Sequence, residues 1–207
     1  MAVADEFFRL AHDDVTGRLR LAGRPASLGL AAALLGELVF GGNLWVKDRY
    51  VSVRACDAPS DVLARGVLDR LAAEPGLTDV RTWVSMLADD ALEDVARRLW
   101  RAGHLRPRRK RRRLRPETVW VPTSMNAAAM PRALLSVRLR RGEPLTQTDV
   151  FLAGLCVVTG LDGLLFDGAP LESRRHLARL VDELWPPARE LVETASTAVA
   201  DVILAAR

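Results

Sequence analysis

The stretch LGLAAALLGELVFGGNLWV, residues 28–46, decides how this chain is read. Leu30, Leu34, Leu35 and Leu38 recur at helical spacing, Ser27 stands where an N-cap hydroxyl would accept from first-turn amides, and Gly41-Gly42 closes the run. The apolar part, residues 28–40, is interrupted by Glu37 and is shorter than the roughly 20 residues that cross a bilayer. The same holds for residues 150–166, interrupted by Asp162. Both predict buried core helices rather than membrane spans.

Outward from this helix the 3.6-residue period keeps returning. Pro59-Ser60 opens a segment with Val62, Leu63, Val67, Leu68 and Leu71 on one face, closed by Pro75-Gly76. Thr78 or Asp79 begins a short helix through Trp83, Val84 and Leu87. Asp89 or Asp90 starts another, with Leu92, Val95, Ala96 and Leu99 on one face and a stop at Gly103. Its outer face offers Glu93–Arg97 and Asp94–Arg98 as i,i+4 pairs. Helices are predicted again over 125–141, 147–159, 171–185 and 187–206, the last two separated by Pro186-Pro187.

Two places break the period. Thr118-Val119-Trp120-Val121 is a β-type run ended by Pro122, and pairing it with residues 104–108 makes a β-hairpin over about 104–122. A shorter strand pair is predicted near 44–53. The expected architecture is one all-α (mainly helical) globular domain spanning 1–207 with a projecting basic β-hairpin.

Of the 207 residues 49% are apolar, enough for a substantial core. Two cysteines, Cys56 and Cys156, are too few for a disulfide framework, and the acidic opening of the chain has no secretory pattern; a reducing cytoplasm is the expected home. The net charge of +4 hides an asymmetry. Arg106, Arg108, Arg109, Lys110, Arg111, Arg112, Arg113 and Arg115 fall within ten residues with no acid among them. Without those eight, 22 bases face 26 acids, a balance of −4. Like charges repel, so folding alone gives no reason to cluster them, whereas an anionic partner does.

Catalytic signatures are missing. His12, His104 and His176 are far apart, and the chain holds no HExxH, GxSxG, phosphate-loop or dinucleotide fingerprint. No metal site, cofactor or enzyme activity is expected. Cys156 lies in an apolar helical run and reads as a small core hydrophobe. Asp13-Asp14 beside Gly17 reads as a turn. Trp120, at the hairpin's root among cations, is an aromatic suited to a headgroup region, and equally to packing on the neighbouring helix.

In order along the chain, FFRLAHDDVTGRL, the 28–46 stretch, VARRLWRAGHL, the hairpin and GEPLTQTDVFLAGLCVVTGLDGLLF resemble the Golgi phosphoprotein 3 family over roughly residues 5 to 207. The resemblance implies a helical globule with a projecting hairpin, peripheral membrane attachment and no enzyme activity. It also implies phosphatidylinositol 4-phosphate binding, recognition of short cytoplasmic protein tails, and homo-oligomer formation through the hairpin. The Arg-heavy composition, with lysine only at 47 and 110, suggests a high-GC bacterial member. On an ungapped alignment the family's phosphoinositide-binding tryptophan falls on Ala22, its first arginine on Ala31, and its Arg-x-x-Arg pair on Asp89 and Leu92. Those departures remove the stacking ring and the guanidinium forks. Arg20, Arg24, Arg97 and Arg98 stand nearby as weaker anion candidates.

The expected function is therefore a peripheral membrane adaptor that meets anionic lipid through its hairpin and holds a protein partner. The alternative is a winged-helix-like nucleic-acid binder. There the recognition helix would present Asp89, Asp90, Glu93 and Asp94 to a polyanion, a poor match.

Overall fold

The computed structural model describes residues 2–111 and 116–206, with side chains described outside 110–117. Helix α2 (Gly23–Phe40) is the axis of the globule, with fourteen of its 18 residues buried. Around it pack α1 (Val3–Ala11), α3 (Val62–Ala73), α4 (Val80–Leu87), α5 (Ala91–Arg101), α7 (Gln147–Thr159) and α10 (Pro186–Ala205). Helices α6 (Met125–Arg141), α8 (Asp162–Leu165) and α9 (Leu171–Asp182) lie outside this layer. By length and composition α2 could cross a membrane, but 78% of it is buried inside the globule. A helix apolar all round belongs in a core.

Two contacts set how closely α2's neighbours approach. A side chain at Gly29 would overlap the Phe7 ring of α1, and one at Gly36 would overlap the Phe151 ring of α7. Seven residues apart, about two turns, the two glycines put bare backbone on one face of the helix, where α1 and α7 meet, for two phenyl rings.

Four helix starts, those of α3, α4, α6 and α7, carry a side-chain cap, with corrections to the sequence expectation. Ser27 is not the N-cap of α2: the helix starts a turn earlier at Gly23, behind Ala22, and Ser27 is buried within it. The next helix begins at Val62 rather than Pro59-Ser60, because the Asp61 carboxylate accepts from the Ala64 amide. Asp79 caps α4 in the same way through Thr82. Thr146 and Asp149 form a reciprocal capping box at the start of α7. Helix α9 ends at Asp182, short of 185, and α10 begins on Pro186 and Pro187. The opening segment, read from sequence only as acidic, forms α1, with Val3, Phe7, Phe8 and Leu10 in the core.

Strands β1 (Leu44–Lys47) and β2 (Tyr50–Val53) pair antiparallel through a two-residue turn. Asp48 and Arg49 are both left-handed there (φ 52° and 69°), and Glu190 of α10 accepts from both of their amides at 3.2 and 2.9 Å. Strands β3 (Leu105–Arg111) and β4 (Pro116–Pro122) form the larger hairpin, in register from Leu105↔Pro122 to Arg111↔Pro116. Cys156 is fully buried and its thiol is pushed well up by desolvation, consistent with a core side chain.

Candidate anionic-surface site

The hairpin springs from the C-terminus of α5. Gly103 is left-handed (φ 78°), the His104 amide bonds the Leu99 carbonyl, and Thr123 closes the other strand with its amide on the His104 carbonyl and its hydroxyl on that of Gly103. Leu105 and Val121 are buried and anchor the root. Beyond it Arg106, Arg108 and Arg109 are exposed on β3. Period-two alternation across a two-stranded ribbon leaves both faces cationic. The side chains of Lys110 and Arg111, and Arg112, Arg113 and Arg115 altogether, lie outside the described residues.

Trp120 is half-buried. Its indole Nε1 donates to Glu93 Oε2 at 3.1 Å, and its ring lies 6.0 Å from that of Trp100. Glu93 Oε1 accepts from Arg97 Nε at 2.9 Å, so one carboxylate ties the hairpin's root to α5. The ring exposed at this corner is Trp100.

Across the root lies a turn built on Asp13, whose Oδ1 accepts from the amides of Val15 and Thr16 and from the Thr16 hydroxyl. Those hydrogen bonds, led by Thr16's, hold the Asp13 carboxyl below the usual range. Gly17 follows with φ 68°, and a side chain there would overlap the Trp120 carbonyl. We expect Gly17→Ala to cost about 2–3 kcal/mol in chemical unfolding, from left-handed strain plus the forced separation of turn and strand. Gly42→Ala, also left-handed (φ 76°) but with open space around it, should cost about 1 kcal/mol, isolating the contact. Equal costs would show that Gly17 serves the backbone alone.

Each of the four weaker anion candidates is held by a carboxylate of the chain itself. Arg20 reaches Asp14 at 2.5 Å and Asp13 at 3.5 Å, and Arg24 reaches Asp89 at 2.6 Å. Arg97 pairs with Glu93 as its spacing predicts. Arg98 does not pair with Asp94. It turns inward, giving both terminal nitrogens to Glu37 at 2.9 and 3.0 Å and Nε to Asp5 at 2.8 Å, with Asp61 at 3.1 Å. A desolvated carboxylate attracts a guanidinium more strongly than a surface one does. The positions that the resemblance sets against the family's phosphoinositide site, Ala22, Ala31, Asp89 and Leu92, hold no base. Ala22 is the residue before α2, Ala31 is fully buried, and Asp89 is occupied by Arg24.

His12 lies under the hairpin root, stacked on Phe8 at 3.8 Å, with Nδ1 2.7 Å from the Phe8 carbonyl. Burial drives its pKa down to about 4. Unfolded, it titrates near 6.5, so between these values the unfolded chain binds the extra proton. The neutral ring's contribution is thus complete above pH 6.5 and is lost as pH falls towards 4. Burial raises Asp5 and Glu6, which act in the opposite sense. Relative to His12→Gln, the parent should lose about 2 kcal/mol between pH 7 and 5 by denaturant unfolding. Parallel pH profiles for the two proteins would contradict this.

The chain is a helical globule with a cationic two-stranded projection, and among the described residues no cluster of three His, Cys, Asp or Glu is placed to hold a metal. The family model for Golgi phosphoprotein 3 (GPP34) matches residues 3–206, and the chain belongs to that family. Membership points to a lipid- and protein-binding adaptor role in general. No curated protein matches the chain at a significant level.

Proposed function

We propose that this protein is a non-enzymatic peripheral adaptor on the cytoplasmic face of a membrane, binding anionic lipid through the hairpin and a protein partner through the globule. The observation that carries the reading is a run of eight bases within residues 106–115, with Arg106, Arg108 and Arg109 exposed on β3, against a balance of −4 elsewhere. An anionic bilayer attracts the projection and repels the body, which orients attachment. Generic headgroup attraction fits better than a specific phosphatidylinositol 4-phosphate pocket, because Arg20, Arg24, Arg97 and Arg98 are already engaged by internal carboxylates.

Sequence-specific DNA binding is disfavoured by the acids at the start of α5, Glu93 and Asp94. Co-sedimentation with vesicles containing phosphatidylglycerol, beside a mobility shift on duplex DNA at matched salt, tests the reading. Sedimentation lost when residues 108–113 are made Gln supports it. Undiminished sedimentation, or a DNA complex selective for one sequence at physiological salt, overturns it.

A further inference from the structure

Helix α6 follows directly on β4 and is apolar on two sides. Its inner side buries Ala128, Pro131, Leu135 and Leu139. Its outer side exposes Met130 (54%) and Leu134 (49%), one turn apart, with exposed Ala127 and Ala133 beside them and Val137 a turn further on. No acid occurs between Thr123 and Gly142, while Arg132, Arg138, Arg140 and Arg141 do. From Arg106 to Arg141 the chain carries twelve bases and one acid, Glu117; the rest has 18 bases and 25 acids, a balance of −7. The basic region therefore does not stop at the hairpin.

Arg132 and Arg138 are held by Asp14 and Asp149 at 3.0 and 2.9 Å. Arg140 is exposed with no carboxylate partner among the described residues, and Arg141 is 71% exposed with Glu143 only at 3.4 Å. An exposed apolar stripe ending in outward arginines, with acids excluded, matches on this one face the apolar area and basic charge by which a helix binds an anionic bilayer interface. Water alone gives no reason for Met130 and Leu134 to share an outer face.

We propose that the outer face of α6 is a second membrane-binding element, inserting Met130 and Leu134 among the acyl chains of an anionic bilayer while Arg140 and Arg141 meet phosphates. The inference rests on the membrane reading of the hairpin and deepens it. The hairpin supplies a salt-sensitive attraction, and α6 a salt-resistant one. Continuity supports a shared surface: Ala127 lines the same small crevice as Trp120 at the hairpin's root. A second copy of the chain is the competing occupant, and its self-association is measurable.

The test uses Met130→Ser/Leu134→Ser, which removes exposed apolar area and should leave the unfolding midpoint unchanged. On phosphatidylglycerol-containing vesicles at 0.5 M salt, the parent should retain a bound fraction that the double variant loses about tenfold or more. An environment-sensitive fluorophore on Leu134→Cys, in a Cys56→Ser background, should shift to the blue when vesicles are added. Binding that depends on the hairpin but leaves fluorophore and salt-resistant fraction unchanged overturns the α6 inference alone. Failure of the parent to bind any anionic vesicle overturns both readings. Concentration-dependent dimers abolished by the double variant would instead assign the face to a second copy.

Discussion

Replacing Arg98 with alanine should lower the unfolding free energy by about 3–5 kcal/mol, the largest loss expected of any single polar substitution here. Its guanidinium and the Glu37 carboxylate are each only 11% exposed, and Glu37 also accepts the Ala4 amide at 2.8 Å. One side chain of α5 thus joins α1 through Asp5, α2 through Glu37, and the capping residue of α3 through Asp61. Removing it leaves an uncompensated charge on the axial helix, where solvation is poor. Two controls separate that penalty from lost packing. Glu37→Gln/Arg98→Met keeps an acceptor for Ala4 and removes both charges, and should recover most of the loss. The deficit of Arg98→Ala relative to the parent should also shrink as pH falls from 7 to 5. Asp5 is already raised by burial, and without Arg98 it rises further, so the folded state binds protons more readily than the unfolded chain. A loss below about 1 kcal/mol in urea unfolding would show that the cluster is solvated in practice.

The Arg98 cluster also marks where sequence reading stopped. Spacing identifies which residues of α5 share a face, and the Glu93–Arg97 pair follows from it. Spacing cannot say that Arg98 prefers a carboxylate 61 residues away, because that depends on α2 and α5 packing together. Glu37 was legible only as an interruption in an apolar run; its burial beside an arginine explains why the core tolerates it. Ser27 misled for a related reason. A good capping residue stood near an apolar run, but tertiary burial extended the helix back to Gly23. The hairpin was readable because β-branched and aromatic residues after a cationic block have no helical period. The Gly17 contact with Trp120 was not, since Gly17 looks like any turn glycine until the strand is laid across it. The outer stripe of α6 was in plain view as an acid-free segment. Its meaning needed burial to show that two of its apolar residues face outward.

Changing residues 108–113 to glutamine should weaken binding to anionic vesicles about a thousandfold at 0.1 M salt, the largest functional effect expected. A basic residue close to an anionic surface contributes about 1 kcal/mol, so four of the eight hairpin bases in reach give roughly 4 kcal/mol. The remainder of the chain makes the loss steeper, since the globule without the hairpin block is net acidic and repelled by the same surface. Fold stability should stay within about 0.5 kcal/mol, because Arg108 and Arg109 are exposed beyond the root anchored by Leu105, Trp120 and Val121. Salt offers an independent reading of the same term. The screening length falls from about 10 Å at 0.1 M to about 3 Å at 1 M, so parent binding should fall steeply over that range, down to the salt-resistant part that α6 supplies, while the glutamine variant, already weak, changes little. If both proteins instead lose binding in parallel as salt rises, the cations that matter lie elsewhere. In that event Arg140 and Arg141 of α6 would be the first to replace.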